Sequence, residues 1–189
     1  MVTIRNETRL DASGREALLD EAFGEGRFAK TAERLREGRR PALSFIAADE
    51  TGVIGTIRLW NVTAGGGRSA LLLGPLAVAA DMRNRGLGTA LVQRALRAAR
   101  RAGHAAVLLV GDAPYYERFG FSREKTGDLR LPGPYERDRL LACELVPGAL
   151  DGATGLISAA GAPNRGTRQD RVTSPVRART HAHAARHAA

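Results

Sequence analysis

The sequence holds one cysteine, Cys143, in 189 residues. A lone thiol excludes an internal disulfide framework and a cysteine-based zinc site. No histidine neighbours Cys143, and three of the four, His181, His183 and His187, fall near the C-terminus. A covalent acyl-cysteine route therefore has no support, and Cys143 reads as a buried strand residue. Nowhere does an apolar run approach the ~20 residues needed to cross a membrane. Met1-Val2-Thr3-Ile4-Arg5 lacks the charged-then-apolar layout of a secretion signal. The expectation is a cytoplasmic protein with no membrane partner. Internal repeats are absent.

What is present suits one soluble domain with a proper core: 43% hydrophobic and 26% charged residues. The net charge is +9 but uneven. From Ala162 onward there are six Arg (165, 168, 171, 177, 179 and 186) and one acid, Asp170, or +5, which leaves +4 for the rest. So mild a charge on the body does not argue for nucleic acid as a partner. The stretch 162–189 has almost no large apolar residues and reads as a basic, disordered tail, its histidines and arginines solvated.

Along the chain, Thr3 to Arg5 reads as a short strand. Ser13 with Glu16 resembles a capping box, opening a helix to about Phe23. Phe28, Ala32 and Leu35 mark a second helix, ended by Gly38. Leu43–Ala47 and Val53–Val62 read as strands joined by Asp49-Glu50-Thr51-Gly52, and Gly65-Gly66-Gly67 is a further turn. The apolar run Leu71 to Val78 follows, then a helical repeat from Gly86 to Ala102. Leu87, Leu91, Ala95, Ala98 and Ala102 line one side of it; Gln93, Arg94, Arg97, Arg100 and Arg101 line the other. Ala105–Val110 is uninterruptedly apolar, as in a strand covered on both faces. Strand, helix, strand in this order predicts a right-handed crossover with parallel strands. A short helix at Pro114–Phe119 and a last strand at Leu140–Val146 complete the pattern.

Two features carry chemistry. Gly74-Pro75 interrupts the apolar strand, and proline cannot donate to a sheet ladder, so the strand bulges or lies at an edge there. Where the ladder opens, Leu76, Ala77 and Val78 offer backbone groups to a ligand that has amides of its own. A few residues on, Arg83-Asn84-Arg85-Gly86-Leu87-Gly88-Thr89 opens the helix. The first amides of a helix lack partners and its dipoles add, so this is an anion seat, reinforced by the arginines. A dinucleotide fingerprint fits worse, because position 91 carries Leu where a small residue belongs, and no Gly-Lys-Ser/Thr follows as a P-loop requires. An extended amide arm joined to a pyrophosphate fits both features, and coenzyme A has that shape.

On these residues the chain resembles the GNAT superfamily of acetyl-CoA-dependent N-acetyltransferases. The superfamily's cofactor motif, Gln/Arg-x-x-Gly-x-Gly/Ala, is met by Arg83, Gly86 and Gly88. Tyr115-Tyr116-Glu117-Arg118-Phe119-Gly120-Phe121 looks like its aromatic-Tyr-x-x-x-Gly-Phe signature. Ala22-Phe23-Gly24 and Leu145-Val146-Pro147-Gly148-Ala149-Leu150 resemble the YhbS-like branch. Ala80 replaces a proline common in relatives, and Gly111-Asp112 replaces an Asn that in many members binds cofactor.

The resemblance implies an α/β fold: a GNAT-like three-layer α/β/α domain over residues 1–161, with a central mixed, twisted sheet of six or seven strands. It implies acetyl-CoA as co-substrate and no metal. The pantetheine arm would lie along Leu76, Ala77 and Val78, and the pyrophosphate on Arg83, Asn84, Arg85, Gly86, Leu87, Gly88 and Thr89. Tyr116 would return a proton to sulfur, a task that suits a phenol of pKa near 10. The acceptor would be a small-molecule or peptide amine, and the chain a monomer or homodimer. Transfer of another acyl group, or acyl-CoA sensing without turnover, are the alternatives. Asp112 reads as the cap of the short helix, with help in removing the amine's proton as the other reading. Trp60, Phe23 and Phe28 read as core, with an acceptor pocket as the other reading. The general base is not legible.

Overall fold

Tight turns at the expected places fold the first half of the chain into an antiparallel meander. In the computed structural model, which describes residues 1–164, β1 (Thr3–Asn6), β2 (Leu43–Asp49), β3 (Gly52–Ala64) and β4 (Arg68–Val78) pair in sequence order. The chain then crosses through α2 (Leu87–Arg101), which follows α1 (Ala12–Phe23), and returns as β5 (Ala106–Val110), parallel to β4. After α3 (Ala113–Tyr116) and the two-residue β6 (Leu129–Arg130), β7 (Leu140–Glu144) runs antiparallel to β5 at the sheet edge. Finally β8 (Gly155–Ala159) pairs with the far end of β3, beyond β2, and with β6. Among the described residues no helix is long and apolar enough to cross a membrane.

The sheet is mixed, as expected, and has eight strands, against the six or seven anticipated. The additions are β6 and β8. Only Ile157 of β8 is buried, so its sequence has no clear period-two signal. Two clusters fill the sheet's two faces. One packs Leu87, Leu91, Val92, Ala95, Leu96 and Ala99 of α2 on Ile57, Leu71 and Val107. The other packs Trp60, Leu72 and Leu108 beneath Leu129, Leu131, Leu150 and Ile157. On this second face Leu18 and Leu19 of α1 close over Ala77. The apolar face of α2 is rotated from the expected one: Val92, Leu96 and Ala99 are buried, and Ala102 is exposed.

Other expectations are corrected. The helix expected over 28–35 is instead two short 3-10 turns, Glu25–Ala29 and Thr31–Leu35, parted by an extended Lys30. Leu35 reaches the core, but Phe28 is 60% exposed, so no continuous apolar stripe holds an α-helix there. Ser13 and Glu16 are not the capping box. That role falls to Thr8 and Asp11, whose Oδ2 accepts the Thr8 N–H at 2.7 Å and the Thr8 hydroxyl at 2.8 Å. The chain enters α1 through a 3-10 turn, so Ser13 is already helical. Residues 162–164, placed in the tail, hydrogen-bond to the body: Ala162 and Gly38 accept from Arg40 and Asn164. The rest of the expected tail, with His181, His183 and His187, lies outside the described residues.

Candidate active site

The site begins where β4 and β5 part. Their parallel pairing covers only Leu71 with Val107 and Leu72 with Leu108. Just beyond, the register of β3 with β4 shifts, and Arg58 faces both Gly74 and Pro75, whose peptide bond is cis. This is the bulge the proline predicted. The Trp60 indole N–H donates to the Gly74 carbonyl at 2.6 Å and pins it from the core side. Trp60 is thus core, as read.

Past the bulge, Leu76, Ala77 and Val78 pair with Ile57, Thr56 and Gly55. The Ala79 N–H donates to Ile54 C=O at 2.9 Å. Antiparallel pairs alternate between exchanging hydrogen bonds and turning away. Ala77 therefore bonds toward β3, whereas the backbone groups of Leu76 and Val78 face the gap left by β5. The three expected residues thus divide: Leu76 and Val78 can serve a ligand, and Ala77 cannot. Its side chain is also turned away, under α1.

A cavity of about 510 Å³ follows directly, lined by Val78, Arg83, Asn84, Gly86, Gly88 and Thr89, with Met82, Tyr115 and Arg118 completing it. Asn84 (φ 60) and Gly86 (φ 79) both take the left-handed conformation. For Gly86 this costs nothing, and it turns the chain into α2. The first bond of α2 runs from Ala90 N–H to Gly86 C=O at 3.0 Å. The amides of Leu87, Gly88 and Thr89 consequently have no acceptor within the helix. The Arg83 Nε donates to Val78 C=O at 3.3 Å, which holds that side chain at the cavity edge. Leu87 offers only its amide, since its side chain is in the core. Arg85 is exposed and forms no part of the wall.

On the other side of Leu76 lies a second cavity, of about 420 Å³. Its floor is Leu73 to Leu76, and Val110 to Asp112 and Tyr116 form one wall. The turns from Phe23 to Arg36 and the loop from Leu131 to Arg139 close the rest. Tyr116 is brought here by α3, whose first turn begins with Tyr115 and Tyr116 N–H both donating to Asp112 C=O at 3.1 Å. Its ring packs edge-on to Tyr115 and Phe121, at 4.9 and 5.8 Å between centroids. A Cβ on Gly111 would sit 2.4 Å from Tyr116 Cε2, so the ring's place depends on that glycine. Burial first, then neighbouring Tyr115, pushes the Tyr116 phenol well above its ordinary value. It keeps its proton at neutral pH.

Asp112 stands at the N-cap position, but its carboxylate makes no capping bond; it lines the cavity instead. Phe23 lines the cavity too, whereas Phe28 does not. Cys143 is buried in β7, and burial pushes its thiol up. Tyr115, Met82 and Arg118 were not singled out as lining residues, although Tyr115 and Arg118 lie one helical turn apart in the aromatic motif. The Arg118 guanidinium stacks 4.9 Å from the Tyr115 ring centroid. Glu33 and Arg36 carried no signal at all, since the segment holding them was read as an ordinary helix.

The acetyltransferase (GNAT) domain family matches residues 40–123 of this chain. The chain is similar to the N-acetyltransferase YhbS of Escherichia coli K12, at 36% identity over 156 residues, 82% of this chain and 93% of that one. The crystal structure of E. coli YhbS in complex with CoA superposes with a TM-score of 0.73 at 35% identity, covering 84% of this chain and 89% of that chain. A Brucella melitensis GNAT acetyltransferase in complex with acetyl-CoA gives 0.65 at 25% identity, with 85% and 96% covered. The split sheet, the open helix start and these likenesses agree: the chain belongs to the GNAT family, the acetyl-CoA-dependent N-acetyltransferases.

Proposed function

We propose that this chain binds acetyl-CoA along the outward backbone of Leu76 and Val78 and the helix start at Asn84–Thr89, and moves the acetyl group to an amine in the second cavity. The observation that carries the reading is the continuity of the two. The free edge of β4 runs from the second cavity, at Leu76, to the first, at Val78. At its end wait the unpartnered amides of Leu87, Gly88 and Thr89, with Arg83 and Arg118 beside them. An amide-bearing arm and an anionic end are the groups those donors and acceptors fit. Bound acetyl-CoA supplies an activated acetyl thioester.

The backbone N–H groups of the Leu76–Val78 edge orient the carbonyl and stabilise negative charge gathering on its oxygen. The edge holds the reacting groups close, and orientation carries much of the rate. Tyr116 holds a proton at its hydroxyl oxygen for the departing sulfur. A protonated amine of pKa near 10.4 must first lose its proton, because only about one molecule in a few thousand is neutral at pH 7. Asp112, whose carboxylate has no partner among the described residues, lines the same cavity. The enzyme works in the cytoplasm on a small-molecule or peptide amine, as a monomer or homodimer, with no membrane or nucleic-acid partner. Residues 1–164 form the catalytic domain, and 165–189 are an appended basic segment.

Thermal melting of the full chain with acetyl-CoA tests this. Ligand at 100 times its Kd adds about 2.7 kcal/mol, roughly 5–10 °C for a chain of this size. An absent shift overturns the reading. A shift without thiol release over a broad amine panel leaves acyl-CoA sensing in its place.

A further inference from the structure

The cavity beside Tyr116 has an unusual charge pattern. Four cations line it: Arg27, Lys30, Arg36 and Arg139. Arg27 is fully engaged, its Nε on Asp20 at 2.7 Å and its Nη2 on Glu16. Glu16 is in turn held by Arg15, which pairs with Glu7, which also binds Arg58. That chain of ion pairs fixes the wall and leaves Arg27 no free charge. Lys30 stands 4.6 Å over the Phe23 ring, at the exposed rim. Arg139 is half exposed and near Glu136 at 3.7 Å.

Arg36 differs from all three. Its side chain is only 14% exposed. Among the described residues its one ion pair is a long one, Nη1 to Glu33 Oε2 at 3.3 Å, and Glu33 is itself 29% exposed. Its Nε is shielded from solvent and has no hydrogen-bond partner among the described residues. Its Nη2 lies against the bulge, 2.9 Å from where a Cβ of Gly74 would be. Burial pulls its pKa down, only partly opposed by Glu33. A guanidinium taken out of water with so little compensation leaves positive charge in the cavity wall that Glu33 offsets only in part. Anionic groups are what such a charge attracts, and a planar guanidinium suits a carboxylate.

Resting on the acetyltransferase reading, we infer that the acceptor is an amine that also carries a carboxylate, as an amino acid does, and that Arg36 in the cavity beside Tyr116 recognises the carboxylate. Asp112, which lines the same cavity from the segment after β5 and has no side-chain partner among the described residues, suits the ammonium end of the same molecule. Arg36 is here a specificity residue; the acetyl group moves to the amine nitrogen, the amine's proton leaves to a base or water, and sulfur departs as the thiol.

The test uses matched acceptors and the full chain. Each of the common amino acids is offered beside its own α-amide, and phosphoethanolamine beside ethanolamine, with thiol release as one readout. The melting shift that each member of a pair adds in the presence of CoA is the second. The amide's amine is the less basic of each pair, so intrinsic reactivity at neutral pH favours the amide; a preference for the acid has to come from binding. The expected result is at least one acid form used tenfold or more better in kcat/KM than its amide. Arg36→Met should erase that ratio, chiefly through KM, with acetyl-CoA affinity within twofold. Arg36→Lys, which keeps the charge, should retain part of the ratio, so a misfolded Met variant cannot decide the matter. A preference for phosphoethanolamine over every amino acid would overturn the carboxylate in favour of a phosphoryl group. Equal or better use of the amides overturns the inference, as does no use of any acid form by a protein that binds acetyl-CoA. An equal fall in kcat for both members of a pair in Arg36→Met would also overturn it and assign Arg36 to the thioester. Failure to bind acetyl-CoA at all refutes the acetyltransferase reading itself, and is seen separately, in the melt with acetyl-CoA alone.

Discussion

The two cavities flanking the free edge of β4 are built in opposite ways. The one at the start of α2 is drawn almost wholly from residues 78–89, with Tyr115 and Arg118 as its far wall. The one beside Tyr116 is assembled from four separated stretches, 19–36, 73–76, 110–116 and 131–139. The first presents backbone: unpaired amides, a left-handed glycine, a strand edge. The second presents side chains of both charges. Backbone donors at a helix start read any phosphate alike, so a local motif can carry the cofactor part of the reaction. Acceptor choice instead depends on side chains that only the folded chain brings together, and it can diverge while the first cavity stays the same.

Gly86→Glu should break the first cavity with the largest effect of all. The glutamate would need the left-handed φ of 79°, at a cost of about 1 kcal/mol, which the fold can absorb. It would also set a carboxylate among amides oriented for an anion. We expect acetyl-CoA affinity to fall by about 100-fold or more in calorimetric titration. The melting temperature of the ligand-free protein should change by only a few degrees. Intact affinity would remove the helix start from the cofactor site.

Tyr116→Phe should act on the second cavity alone. The ring keeps its packing on Tyr115 and Phe121, and only the hydroxyl is lost. Turnover should drop by roughly 100-fold, the low end for a general acid, with acetyl-CoA affinity within about twofold. An unchanged kcat would demote Tyr116 to a packing residue.

How much of this was legible in the sequence follows the same division. Gly74-Pro75 located the bulge, because a proline without an N–H leaves a ladder few alternatives. Gly86 and Gly88 located the helix start, because a left-handed residue before an amphipathic repeat has a local cause. Ala77 was placed in the site and does not belong there: alternation along β4 turns it to the other side, and the register that decides this is set by β3. Leu87 was placed through its amide, which the helix start leaves free while the side chain enters the core; Arg85 was placed for its charge, and its side chain is left in solvent instead of in the cavity wall. Arg36 was illegible for a different reason. Its neighbours Gly74 and Glu33 come from a bulge and a 3-10 turn, and that turn is held by Thr31, whose hydroxyl donates to the Pro134 carbonyl more than one hundred residues away. β8 was missed because only one of its five residues is buried.

Gly111→Ala sharpens the comparison at a smaller scale. Its new Cβ would lie 2.4 and 2.9 Å from Tyr116 Cε2 and Cδ2, and 3.0 Å from Leu109 Cδ1. Overpacking of this kind costs about 1–3 kcal/mol, to be read by denaturant unfolding. The ring must shift to relieve it, so turnover should fall together with stability. Acetyl-CoA affinity should hold, since Gly111 lines only the second cavity. A variant of full stability would mean that the Tyr116 ring moves aside at no cost, and its place would then not depend on Gly111.

The smallest effect is expected from removing residues 165–189. That segment carries six arginines and one aspartate, so its loss takes the formal charge from +9 to +4. The cations beside the helix start, Arg83 and Arg118, belong to the cavity's own wall and remain. Screening at physiological salt limits exposed charges to a reach of about 8 Å, so a change in net charge alone should leave the acetyl-CoA Kd within about twofold. It should show instead in the association rate at low salt, where a weaker positive field collects a polyanion more slowly. Stopped-flow binding at two ionic strengths reads both. A large loss of affinity at physiological salt would mean that the arginines of 165–189 supply part of the anion seat, and the first cavity would then be, like the second, a site assembled from distant stretches of chain.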